Sequence, residues 1–145
     1  MNKYFIIFGV VVVIIIGGVL YRRFVLPESS LPFTSGIIIE VTLIAKKNEW
    51  RFVPENIDIQ RGDKVIMTVI NEDEYDHGLA IDAFGVSQRM PAKSTIKVEF
   101  IATQEGDFPY YCSVPCGEGV VDGKKRTHFD MIGALKVKPI KQVSN

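Results

Sequence analysis

The chain has 145 residues, 47% of them hydrophobic, and its 17 basic and 17 acidic side chains leave no formal net charge. That length carries one core-bearing domain and is short for two of ordinary size. With no long basic run the chain lacks the electrostatic footprint of a nucleic-acid binder, so nucleic acid is excluded as an expected partner.

From Tyr4 to Tyr21 the sequence reads YFIIFGVVVVIIIGGVLY, 18 residues without a charge, preceded by Lys3 and closed by Arg22 and Arg23. As a helix this run spans about 27 Å, close to the roughly 30 Å of a bilayer hydrocarbon core. Residues 1–23 therefore read as a membrane anchor. A cleaved signal peptide is the alternative, but the apolar run is longer than a usual h-region and ends in LYRR rather than a small-x-small site. Lys3 on one side and two arginines on the other leave the positive-inside rule little to weigh. Residues 24–36, with PESSLPFTSG at 27–36, show neither helical nor strand periodicity and read as a tether. A folded domain over 37–140 and a tail over 141–145 complete the expected division.

Within the domain, IIIEVTLIA (37–45), IDIQ (57–60), KVIMTVIN (64–71), TIKVEFIA (95–102), DFPYYC (107–112) and IGALKVKP (132–139) are rich in β-branched and aromatic residues. Arg61-Gly62-Asp63 and Glu105-Gly106-Asp107 are turn signals between them. No later segment sustains a 3.6-residue apolar period, so no helix is available for βαβ crossovers. The pattern predicts an antiparallel sandwich or barrel of about a hundred residues. In TIKVEF, alternation places Ile96, Val98 and Phe100 on one face and Lys97 and Glu99 on the other. Phe108, Tyr110 and Cys112 share one side of their strand. Pro109 removes a ladder donor there and predicts an edge strand or a bulge.

The chain's only two cysteines, Cys112 and Cys116, form a C-x-x-x-C, and His128 and Met131 form an H-x-x-M. The other histidine, His77, falls in EYDHGLAI between strand-like runs. Thiolates, imidazoles and a thioether make a soft set that suits copper, whereas magnesium and calcium prefer oxygen. Zinc accepts Cys and His, but a thioether is a poor zinc ligand and structural zinc sites usually carry paired C-x-x-C knuckles. Taken singly, the cysteines can pair as a disulfide, Met131 can be core, and a lone histidine is more often a surface residue. Metal binding engages every Cys and His of the chain at once.

YYCSVPCGEG followed by HFDMIGALKV resembles the copper-binding end of cytochrome c oxidase subunit II, whose signature is C-x-x-x-C-G-x-G-H-x-x-M before a Gly-containing strand. The upstream EWRFVPENIDIQRGDKVIMTVINEDEYDHGLAIDAFGV resembles the same family's domain as it leads to the first copper histidine. The resemblance covers roughly residues 37–139, and the single anchor looks like the compact subunit II of the B-type oxidases. It implies a mainly-β, cupredoxin-like Greek-key β-sandwich with one N-terminal transmembrane helix and a dinuclear CuA centre of two copper ions. By that resemblance Cys112 and Cys116 bridge the coppers through their sulfurs and His77 and His128 each bind one. Met131 is then a weak ligand to one copper and the backbone carbonyl of Val114 to the other.

The resemblance further implies an electron-accepting subunit without an oxygen-reducing site of its own. It would take electrons from a soluble carrier, a cytochrome c or a small copper protein, and pass them to haem in the oxidase's subunit I. A donor outside the membrane sets the N terminus inside and the domain outside. Retention of all five side-chain ligands argues against quinol as direct donor. Trp50 stands where relatives have aromatics through which electrons enter, with a core or rim anchor as the plain alternative. Glu72, Asp73, Glu74 and Asp76 precede His77, and Lys124, Lys125 and Arg126 precede His128. Each run is a candidate docking surface or simply a solvated loop.

Three departures stand out. Eight residues, VVDGKKRT, separate Gly119 from His128 where the family has none. Asp122-Gly123 is a two-residue hairpin signal, so the insert is expected to leave and return as a projecting hairpin with His128 still reaching the metal. Val114 replaces the family's magnesium-binding Glu, so that magnesium site is expected to be absent. Pro91-Ala92 replaces a Pro-Gly turn. Asp76 and Asp130 are candidate partners behind the imidazoles. Other functions fit part of the pattern: the CuA module of a nitric oxide or nitrous oxide reductase, a mononuclear cupredoxin, or a disulfide-bonded structural domain. A membrane-anchored copper chaperone of the Sco type shares C-x-x-x-C but needs helices this chain lacks.

Overall fold

A computed structural model of the chain describes residues 2–24 and 34–140, which fall into two units, an N-terminal helix and a β domain. Residues 25–33 of the expected tether and the expected tail at 141–145 lie outside the described residues. Helix α1 (Lys3–Phe24) has Arg22 and Arg23 in its last turn, where they complement the negative end of the helix dipole. Its 22 residues make about 33 Å. With a mean hydropathy of 2.7, it is long and apolar enough to cross a membrane.

The β domain contains, among the described residues, β1 (Ile38–Ala45), β2 (Phe52–Val53), β3 (Asn56–Gln60), β4 (Lys64–Asn71), β5 (His77–Ile81), β6 (Val86–Met90), β7 (Thr95–Ile101), β8 (Gly106–Tyr111), β9 (Glu118–Val121), β10 (Lys124–Thr127) and β11 (Ile132–Lys138). Two sheets form, in the orders β2-β1-β4-β7 and β3-β11-β8-β5-β6, with β9 and β10 a separate hairpin. Alternation builds the core as expected: Val65, Met67 and Val69 of β4 and Val98 and Phe100 of β7 are buried. They pack with Leu43, Phe52, Leu79, Ile81, Tyr110 and Leu135.

Three expectations are corrected. The sandwich is mixed rather than antiparallel, because β1 pairs β4 and β3 pairs β11 in parallel. The chain steps to the other sheet for β3 before β4 returns, so β1 and β4 run the same way. Second, β8 is not an edge strand: it lies between β11 and β5. Its ladder to β5 is confined to Ala80 and Tyr111, so the N–H that Pro109 lacks falls where that ladder does not reach. Third, His77 does not sit between strands but opens β5, all five residues of which are buried and therefore show no alternation.

The sandwich has two dissimilar ends. At one, the chain enters with the Ser35 N–H donating to the Gly62 carbonyl at 2.7 Å and its hydroxyl to Asp63 at 2.9 Å. The chain also leaves there, since the Arg61 N–H donates to the Lys138 carbonyl at 2.9 Å. The opposite end gathers the C-terminal ends of β1, β4 and β8 and the start of β11. Asn71 organises it: its side-chain N–H groups donate to the carbonyls of Tyr75, Met90 and Pro91 at 2.9, 3.1 and 3.0 Å.

Gly133 of β11 faces Tyr110 of β8 so closely that an added Cβ would enter the ring. Tyr110 has no room to yield, being wholly buried with its hydroxyl donating to the Pro54 carbonyl. Gly133→Ala is therefore expected to cost about 1–3 kcal/mol through overpacking. The measurement is a lower urea midpoint at unchanged slope.

Candidate metal centre

Four elements meet at the Asn71 end. His77 begins β5, Cys112 directly follows β8, Cys116 ends the loop after it, and Met131 directly precedes β11. The Cys112 N–H donates to the Met131 carbonyl at 3.0 Å, so the β8–β11 ladder fixes both side chains at once. The Cys112 sulfur lies 3.7 Å from His77 Nδ1 and 3.8 Å from the Cys116 sulfur, which in turn lies 3.6 Å from Met131 Sδ. All four residues are buried, and both cysteines are free. The Val114 carbonyl oxygen is 3.2 Å from the Cys112 sulfur.

Sequence reasoning passed over Gly78. Its N–H donates to the Cys112 sulfur at 3.4 Å. A Cβ there would come within 2.9 Å of Val114 Cγ2 and also strike Ser113, so glycine is what lets the cysteine loop close over β5.

The electrostatics favour an anionic sulfur at Cys112 and a protonated one at Cys116. Hydrogen bonding from Cys116 holds the Cys112 thiol far below its ordinary range against the opposing effect of burial, with His77 and the Gly78 N–H adding to it. The same contact with Cys112, together with burial, pushes Cys116 up. Burial by itself would lower His77, but its hydrogen bonds to Cys112 and Asp73 outweigh that and raise it.

His128 directly follows the insert, which forms the β9–β10 hairpin with Asp122 and Gly123 at φ of 50° and 73°, the left-handed pair of a tight turn. At its base the His128 N–H donates to the Gly117 carbonyl at 3.1 Å. A capping box then locks the single 3₁₀ turn His128–Asp130: Thr127 Oγ1 accepts from the Phe129 N–H at 3.2 Å and Asp130 from the Thr127 N–H at 2.7 Å. Asp130 thus supports the backbone under His128 rather than its ring. His128 Nδ1 is buried and has no hydrogen-bond partner. The His77 imidazole, two free thiols, a thioether and the buried, unpaired His128 Nδ1 are donors that fit a soft metal ion such as copper.

Trp50, 9% exposed and at a φ of 45°, donates its indole N–H to the Cys116 carbonyl at 3.3 Å. Its ring stacks on Tyr75 with centroids 6.1 Å apart, and Tyr75 lies 5.3 Å from the His77 ring. On the other side, a Cβ at Gly119 would enter the indole.

Residues 35–121 match the sequence pattern of the cupredoxin-like domain. The chain belongs to that family. The match to the cupredoxin-like domain stops before His128 and Met131. Nitrous-oxide reductase of Stutzerimonas stutzeri is 29% identical over 91 residues, which are 61% of this chain and 13% of that protein. Among solved structures, a heme-copper terminal oxidase seen as a dimer by cryo-EM superposes with a TM-score of 0.55 at 17% identity, covering 94% of this chain and 98% of that one. Auracyanin A, a blue copper protein from Chloroflexus aurantiacus, superposes with a TM-score of 0.56 at 16% identity over 70% and 99%. At such identities these structures share the cupredoxin-like fold.

The charged loops of this cupredoxin-like domain are largely self-paired. Glu72 meets Lys46 at 2.9 Å, Glu74 meets Lys93 at 3.0 Å, and Asp76 pairs with Arg89 and accepts from the Ala92 N–H. Lys125 meets Glu118 at 2.8 Å and Arg126 lies 3.9 Å from Asp130, while Lys124 is exposed. Asp73 is removed from the docking candidates: it is wholly buried, with a carboxylate oxygen 2.7 Å from His77 Nε2. Asp73, rather than Asp76, stands behind that imidazole. Nor did sequence reasoning single out Phe129, which is 79% exposed beside the His128 ring.

Trp50 is the only tryptophan, so its emission reports the packing above Cys116 directly. Gly119→Ala is expected to displace the indole and shift its emission to longer wavelength. Unchanged emission would place the indole elsewhere.

Proposed function

We propose that this cupredoxin-like domain is the copper-bearing, electron-accepting subunit II of a haem-copper terminal oxidase. The observation that carries the reading is the convergence of His77, Cys112, Cys116 and Met131, with the Val114 carbonyl beside Cys112; His128, whose Nδ1 is buried and unpaired, is the further ligand of this reading. Cys112, Cys116, His77, His128, Met131 and the Val114 carbonyl would together hold two copper ions of the CuA kind. When bound, such a pair spreads a one-electron change over two metals and two thiolates, so few atoms need to move.

The protein's own residues supply the rest. Burial of both sulfurs keeps water from them, the Gly78 N–H stabilises charge on Cys112, and the β8–β11 ladder holds Cys112 and Met131 in fixed relation. Trp50 and Tyr75 form an aromatic path toward His77 for electrons from a soluble donor, a cytochrome c or a small copper protein. Exposed Phe129 gives the His128 side an apolar contact for a partner subunit, which we assign to subunit I. Helix α1 serves as the membrane anchor, N terminus inside and copper domain on the outer side of the cell membrane. That a heme-copper terminal oxidase structure shares the cupredoxin-like fold agrees with a domain of this kind serving such an enzyme.

The 29% identity to nitrous-oxide reductase favours one second reading, the same copper module serving that kind of reductase. Co-purification from native membranes separates the two: a haem-containing subunit supports the oxidase, a nitrous-oxide-reducing polypeptide the alternative.

The full-length protein in detergent, loaded with copper, is expected to hold two ions per chain. Its EPR spectrum should show hyperfine structure from one unpaired electron shared by both nuclei. A single copper with the pattern of one nucleus would make it a mononuclear carrier. His128→Ala is expected to abolish the shared pattern. An unaltered spectrum would mean that the hairpin-borne ring is not a ligand.

A further inference from the structure

We infer that Asp73 is the positioning residue of the metal centre, fixing which nitrogen of His77 faces the sulfurs and placing a compensating negative charge beside the metals. This rests on reading the site as a two-copper centre.

Asp73 and His77 are both wholly buried. One carboxylate oxygen of Asp73 lies 2.7 Å from His77 Nε2, and the other accepts the Asn48 N–H at 2.7 Å. The Asp73 N–H donates to the Asn71 side-chain oxygen at 2.9 Å, and its carbonyl accepts the Lys93 N–H at 3.0 Å. Both the backbone and the side chain of Asp73 are therefore held, leaving the carboxylate little freedom to turn.

Two consequences follow from chemistry alone. With one carboxylate oxygen already accepting the Asn48 N–H, the other is placed to accept in turn from His77, which puts a ring proton on Nε2. Nδ1, which faces Cys112, is then the nitrogen at which a bound metal would take the place of a proton. Asparagine, the nearest isostere, cannot reproduce this. One of its two ends is an NH₂, which would meet either the Nε2 proton or the Asn48 N–H, donor against donor. The second consequence concerns charge. Among the described residues the ion-pair partner of Asp73 is His77 alone, with no lysine or arginine. A buried anion without a cationic partner is costly, and a positive metal centre on the far side of the imidazole offsets that cost. Asn48 belongs to the same loop as Trp50, so the carboxylate also ties the indole's loop to the ligand histidine.

The test uses full-length protein in detergent, loaded with copper and reduced to the diamagnetic copper(I) state. Nitrogen NMR of labelled imidazole should show His77 protonated at Nε2 in the wild type. A proton at Nδ1, or metal at Nε2, overturns the inference. Asp73→Asn is expected to weaken copper binding about 10–100-fold. The reduction potential of its remaining loaded fraction should rise, because a negative charge beside the centre has gone. Glu118→Gln removes an exposed carboxylate instead and should leave both quantities unchanged. Should Asp73→Asn match the wild type in affinity and potential, the residue positions nothing. If that variant does not fold, the wild-type nitrogen spectrum decides alone. If the wild type takes up fewer than two coppers, the two-copper reading falls, while the protonation of His77 under whichever copper is bound still tests Asp73.

Discussion

The structure turns on two sulfur atoms held 3.8 Å apart without a bond between them. A disulfide would need about 2.05 Å, and the fold supplies several restraints that keep the cysteines from closing that gap. Cys112 is pinned through its backbone to the strand pair β8–β11, and its sulfur is engaged by the Gly78 N–H. Cys116 is held from the other side, its carbonyl taken by the Trp50 indole and its sulfur packed on Met131. Each restraint comes from a different part of the sandwich, so the spacing belongs to the whole domain rather than to the loop between the cysteines.

Much of this was legible in the sequence, for physical reasons that differ by element. β4 and β7 each have one buried face, so alternation reveals them at once. β5 is buried on both faces and only five residues long, which erases alternation and leaves a run indistinguishable from a loop near a histidine. The parallel pairing of β1 with β4 was hidden because periodicity reports faces, not directions. The hairpin was readable from Asp122-Gly123, since that dipeptide alone satisfies the backbone the turn requires. The soft ligands were conspicuous because the chain has so few cysteines and histidines. Asp73 was not, because four acidic residues crowd before His77 and nothing in their order says which one turns inward.

The insert before His128 shows how the domain separates tolerance from constraint. The hairpin projects where length is cheap, while its last residues are disciplined again by the Thr127–Asp130 capping box and the bond to Gly117. A side chain can thus arrive at a fixed point by a longer route, provided the final turn is locked. Gly119 makes the same bargain at the outgoing limb, surrendering its own side chain so that the Trp50 indole has room to reach the Cys116 carbonyl.

Both covalent ends of the β domain emerge at one extremity, beside the turn at 61–63, and the sulfurs occupy the other. A gold or carbon electrode could therefore be wired through either terminus with the redox-active tip left facing the solution. Any mechanical load applied at the amino end would first reach β1, whose parallel ladder to β4 resists in shear, before it could disturb the cysteines.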